Sequence, residues 1–154
     1  MSLFERVGHE LSGIEKLRTF LAEGLRPGMA ETLDVRLVHV EEGRVAFEAD
    51  PGPQHYNPMG GVHGGYAATL LDFACGYAVT SRLGPYQSFS TLELKVSYQR
   101  PVTAETGTVR AEGTVVSIGR RVAFVEARLL DRGGRLLATC SSTCLVLPVE
   151  RGQD

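Results

Sequence analysis

The stretch Gly64-Gly65-Tyr66-Ala67-Ala68-Thr69-Leu70-Leu71-Asp72-Phe73-Ala74-Cys75-Gly76-Tyr77-Ala78-Val79-Thr80 decides how this chain folds. Its apolar residues fall on every side of a helical wheel. The spacing therefore predicts one long helix, reading from 64 to 82, that is buried all round. Ala67, Ala68, Ala74, Gly76 and Ala78 are small enough to let a sheet approach closely. Asp72 is the only charged residue between 64 and 80.

The flanking sequence supplies the cover. Downstream, strand-like runs lie near 91–99, 106–117, 121–131 and 135–147, with turns at Ser117–Arg120 and Asp131–Gly134. In the first of these, Leu92, Leu94, Val96 and Tyr98 alternate with Thr91, Glu93, Lys95 and Ser97, which predicts two distinct faces. Upstream, runs at 32–40 and 44–49 are joined by Glu41-Glu42-Gly43, and a Pro- and Gly-containing loop spans 50–61. Residues 12–25 read as an amphipathic helix. Ser12 and Glu15 form a capping-box pattern, Ile14, Leu17, Leu21 and Leu25 make the inward stripe, and Lys16 lies outside it. The expected fold is α+β, an antiparallel sheet wrapped around one long central helix with an extra N-terminal helix. The whole 1–154 forms a single domain with its core in 31–147.

Composition removes several function classes. Sixteen basic and eighteen acidic residues are mixed along the chain with no basic block, so nucleic acid is not an expected partner. The stretch Gly64 to Val79 is too short for a membrane span and carries Asp72, so no membrane partner is expected either. The first residues lack the apolar run of a signal peptide. Three cysteines make no disulfide framework, and Cys140 and Cys144 would be about 13 Å apart along one strand, too far for a bridge or a shared metal. Reduced cysteines fit a cytoplasmic location. No metal-ligand cluster is visible.

Two features carry chemistry. A carboxylate in an apolar helix is costly unless it has partners, and such residues concentrate at functional sites, although hydroxyl neighbours could make it purely structural. The glycines around His63, Gly64 and Gly65 leave backbone N–H groups free at a helix N-terminus, where partial positive charge gathers. That is the chemistry a developing oxyanion needs. His63 and Asp72 are nine residues apart, two and a half turns and about 13 Å along the axis, and point to opposite sides. If both serve one centre, they come from different copies of the chain.

The pattern Asn57-x5-His63-Gly64-Gly65-x6-Asp72, followed by Thr91-x-Glu93-Leu94-x-Val96-x-Tyr98-x-x-Pro101, resembles the hotdog-fold thioesterases of the phenylacetate-degradation (PaaI-like) type. The resemblance spans about residues 10–147. It implies hydrolysis of an acyl-CoA, with Asp72 as nucleophile or general base and the Gly64 N–H polarising the thioester carbonyl. His63 would orient the loop or thioester, Asn57 would position the carbonyl or water, and Thr91 would supply a hydroxyl, with Ser90 as its competitor. Gly65, Ser90, Ser117, Arg120 and Arg121 are the expected substrate-binding positions, the arginines facing the CoA phosphates. It implies a homodimer at least, and in the family often a tetramer of paired dimers. No cofactor is implied beyond the CoA of the substrate. Four residues after Asp72, where one aromatic-acyl branch carries a hydroxyl, stands Gly76, which argues against that branch's hydroxybenzoyl substrate. A hotdog hydratase or dehydratase and a non-catalytic acyl-CoA binding module are the alternatives.

Overall fold

The computed structural model describes residues 3–150. Helices α1 (Leu3–Val7), α2 (Gly13–Glu23) and α3 (Gly28–Thr32) lead into strands β1 (Arg36–Glu41) and β2 (Arg44–Ala49). The long helix α4 (Gly64–Thr80) follows, then β3 (Gln87–Tyr98), β4 (Val109–Ile118), β5 (Val122–Leu130) and β6 (Leu136–Pro148). The strands form one antiparallel sheet in the order β1-β2-β4-β5-β6-β3, and α4 packs against β2 to β6. This is the expected hotdog arrangement.

The sheet reaches α4 most closely where side chains vanish. A Cβ on Gly113 of β4 would lie 2.1 Å from the Ala74 carbonyl oxygen, so this crossing requires glycine. Leu70, Leu71, Ala74, Cys75, Ala78 and Val79 are fully buried there. The three cysteines are buried and unbridged, with Cys75 Sγ 3.4 Å from Cys140 Sγ across the helix–sheet contact.

Four expectations are corrected. First, α4 is not covered all round: Gly65, Ala68, Thr69, Asp72 and Phe73 form a half-open stripe that the chain's own sheet leaves bare. The sheet wraps one side of the helix, and an all-apolar wheel does not say how much of it the chain's own sheet can cover. Second, α2 ends at Glu23 with Gly24 in the left-handed region, and its buried face is Gly13, Lys16, Leu17 and Phe20. Leu21 is 38% exposed while Lys16 is 3% exposed. Gly13 rotates the helix, because its missing side chain lets the Thr80 carbonyl approach within 1.7 Å of where a Cβ would be. Third, residues 28–32 are helical, so the first strand starts at Arg36 rather than Thr32. Fourth, the alternation in β3 breaks. The register slips between Thr91 and Glu93, leaving Leu92 as a bulge residue that is 60% exposed.

Candidate active site

The N-terminal mouth of α4 is built by a short loop tied at both ends. Tyr56 and Val62 bridge, Asn57 N–H donates to the Gly61 carbonyl at 2.7 Å, and Val62 N–H donates to the Val102 carbonyl at 2.9 Å. Asn57 Oδ1 accepts from the N–H groups of Met59 (2.9 Å) and Gly61 (3.3 Å). The Asn57 oxygen therefore folds the loop, and only its amide nitrogen is left to meet a ligand.

His63 is the N-cap of α4. Its Nδ1 accepts from Gly65 N–H at 2.9 Å, so the neutral ring carries its proton on Nε2. That bond consumes the Gly65 donor. The Gly64 N–H has no hydrogen-bond partner among the described residues and stands at the positive end of the helix. Tyr98, at the far end of β3, donates its hydroxyl to the Gly64 carbonyl at 2.8 Å. A Cβ on residue 64 would come 3.1 Å from that ring and hydroxyl, so the tyrosine and the glycine hold one another in place.

Asp72 sits two turns along α4, half-buried on the open stripe. Its Oδ1 accepts from the Thr91 hydroxyl at 3.2 Å. The β3 bulge makes this contact compatible with the core. Thr91 and Leu94 are an odd number of residues apart and would face opposite ways in a regular strand. The extra residue at Leu92 lets both turn inward. Ser90 points away and is exposed, so of the two candidate hydroxyls it is Thr91 that reaches the carboxylate.

Beside Asp72 opens an apolar groove of about 260 Å³, running along α4 from Thr69 to Tyr77 and closed by Phe89 and Met29. Phe89 lies over Gly76: a Cβ there would be 2.5 Å from its ring tip. The sequence reading missed Phe89, because the strand was begun at Thr91. It also missed the tie from Tyr98 to Gly64, which pairs residues 34 apart.

Ser117, Arg120 and Arg121 are exposed at the β4–β5 turn, and neither arginine is ion-paired among the described residues. Val122 and Ser90 both pair with Leu145, so this turn lies two strands, about 10 Å, from the Ser90 end of β3. Within one chain, Gly64 and Asp72 stay about 12 Å apart along the helix axis. One copy thus presents an amide donor at one place and a carboxylate beside a groove at another.

The thioesterase superfamily model matches residues 59–138. The chain is 24% identical over 119 residues to the 1,4-dihydroxy-2-naphthoyl-CoA hydrolase of Listeria monocytogenes, covering 77% of this chain and 94% of that protein. It is 31% identical over 121 residues to a protein named as an esterase in Caenorhabditis elegans, covering 77% and 70%. Among solved structures, a phenylacetic acid degradation-related protein of Ralstonia eutropha superposes with a TM-score of 0.74 at 32% identity, over 83% of this chain and 96% of that one.

Proposed function

The chain belongs to the thioesterase superfamily as a thioester hydrolase of the PaaI-like hotdog type, and from that premise we propose that it cleaves acyl-CoA to a carboxylic acid and free CoA at a site shared by two copies of the chain. The observation that carries this reading is the half-open Asp72, fixed by Thr91 beside an apolar groove, in a helix whose Gly64 N–H is unspent.

In this reading the acyl group lies in the groove and its carbonyl oxygen faces the partner copy's Gly64 N–H. The amide and the helix terminus stabilise the oxyanion as the carbonyl carbon becomes tetrahedral. Asp72 either attacks that carbon, forming an anhydride that water then opens, or takes a proton from the attacking water. Either way the C–S bond breaks and CoA leaves as thiol. The acid's second oxygen comes from water on the direct route, and on the anhydride route from Asp72 or from water according to which carbonyl water attacks. His63 keeps the glycine mouth in shape by holding Gly65, and the Asn57 amide nitrogen orients the carbonyl or the water. Gly65, Ser90 and Ser117 border the path of the CoA arm, and Arg120 and Arg121 meet its phosphates. No metal or separate cofactor takes part.

The dimer is supported by two unfinished surfaces. β3 is a twelve-residue edge strand with one side unpaired. Such an edge favours pairing with another strand. The bare stripe of α4 is the other.

Asp72→Asn tests the assignment. Acyl-CoA hydrolysis is expected to fall by a factor on the order of a thousand with the melting temperature unchanged. Near-normal turnover would remove Asp72 from the chemistry. A single turnover in ¹⁸O-labelled water tests the direct route: label in the Asp72 carboxyl excludes it and marks the anhydride.

A further inference from the structure

A second cavity, of about 240 Å³, lies beyond the C-terminal end of the Asp72 groove. Phe4, Lys16, Thr80, Leu83 and Phe89 are among its walls. Phe89 borders both spaces. The cavity exists because α2 is clamped to the end of α4. Gly13 N–H donates to the Leu83 carbonyl at 2.9 Å, and the Gly13 backbone rests on the Thr80 carbonyl. Lys16, one turn further along α2, is turned into the space by that clamp.

Lys16 is the unusual wall. It is 3% exposed. Among the described residues its ammonium makes neither an ion pair nor a hydrogen bond, and its contact is with the Phe4 ring, 5.9 Å from the ammonium. Glu10 lies close enough to influence it without pairing with it. The ammonium itself is not sealed from solvent, and a ligand carboxylate entering the cavity would meet a cation that has no anion paired with it.

We propose that this cavity is the distal end of the acyl site and that Lys16 binds a carboxylate at the far end of the acyl chain, making CoA thioesters of medium-chain dicarboxylic acids the preferred substrates. This rests on the Asp72 site being the thioesterase centre. The length follows from the helix. Asp72 and Thr80 are eight residues apart, about 12 Å along α4. An extended alkyl chain advances about 1.3 Å per bond, so about nine bonds span the distance. A ten-carbon diacid monothioester then has its thioester at Asp72 and its free carboxylate at Lys16, once the Phe89 ring turns aside. A methyl-ended chain of equal length would press its apolar end on the ammonium and strip its remaining water. Shorter chains would not reach.

The test compares decanoyl-CoA with the mono-CoA ester of decanedioic acid. Hydrolysis is measured with the wild type and Lys16→Met, and binding of the same two esters with Asp72→Asn. The wild type is expected to favour the diacid ester by about tenfold or more in kcat/KM, and Lys16→Met to reverse the preference. Lys16→Arg keeps the charge and is expected to retain the wild-type preference. Equal or better use of decanoyl-CoA by the wild type, or a preference indifferent to Lys16→Met, overturns the proposal. If neither ester is hydrolysed, the binding arm still decides. Tighter binding of the diacid ester upholds the Lys16 site while the thioesterase reading falls, and equal binding removes both.

Discussion

Asp72 owes its position to a single bulged residue. Leu92 takes up one place in β3 without pairing, and Thr91 thereby faces the helix and hands its hydroxyl to the carboxylate at 3.2 Å. Thr91 acts through Asp72, so its removal should change rate rather than binding. A hydrogen bond to a charged group contributes about 1.5–3 kcal/mol, and a half-open site puts the effect at the lower end. Thr91→Val is expected to lower kcat about tenfold with KM little changed, and Thr91→Ser to restore it. Steady-state acyl-CoA hydrolysis by the three proteins checks this; a Thr91→Val enzyme with unchanged kcat would leave the threonine a packing residue only.

The crossing of α4 over β4 is the tightest contact between the central helix and the sheet. Gly113 has the Ala74 carbonyl 2.1 Å from where a Cβ would stand, with Cys75 N 3.0 Å away. Both are helix backbone and cannot turn aside as a side chain would. Gly113→Ala must therefore lift the helix off the sheet, and overpacking of this kind costs about 3 kcal/mol. For a chain of this size that is a fall of roughly 6–12 °C in melting temperature. Thermal and urea unfolding measure it. The contrasting case is Gly76, where the obstructing group is the tip of the Phe89 ring. Gly76→Ala is expected to leave the melting temperature nearly unchanged and to raise KM for long acyl chains, because the displaced ring narrows the groove.

At the scale of the molecule, the proposed shared site calls for a second copy. Sedimentation equilibrium should give at least twice the 16.7 kDa chain mass at concentrations where the enzyme turns over. A fully active monomer would rule out the shared site. Lys16 also leaves a mark on overall stability. Burial holds its ammonium below the usual lysine range, with Glu10 opposing that shift only partly. In the window between the lowered folded value and the ordinary lysine value of 10.5 the unfolded chain binds more protons, so stability rises with pH there. Below that window the full burial penalty remains. Lys16→Met removes it, and replacing a buried charge by an apolar side chain of similar size is expected to add about 1 kcal/mol at pH 7. Urea melts at pH 7 and at pH 10.5 should show the variant's advantage shrinking at the higher pH. The buried phenols of Tyr66 and Tyr77, pushed up to about 12, act in the opposite sense only above pH 10.

The order of α2, α4 and the six strands was written in the periodicity of the sequence, because a helix with apolar residues on all sides and strands of alternating pattern leave few ways to bury both; the short α1 and α3 were not. The separation of Gly64 from Asp72 was equally legible, since helix geometry fixes it. Other features depended on contacts between residues distant in the chain. Gly13 against Thr80 turned Lys16 inward from a position that looks solvent-facing on a helical wheel. A slip in pairing with β6 chose Thr91 over Ser90. The sheet's reach around α4 left Asp72 half-open instead of sealed. Local pattern records how each residue relates to its own helix or strand. Rotation of an element, the place of a bulge and the side left uncovered are settled only where two elements meet.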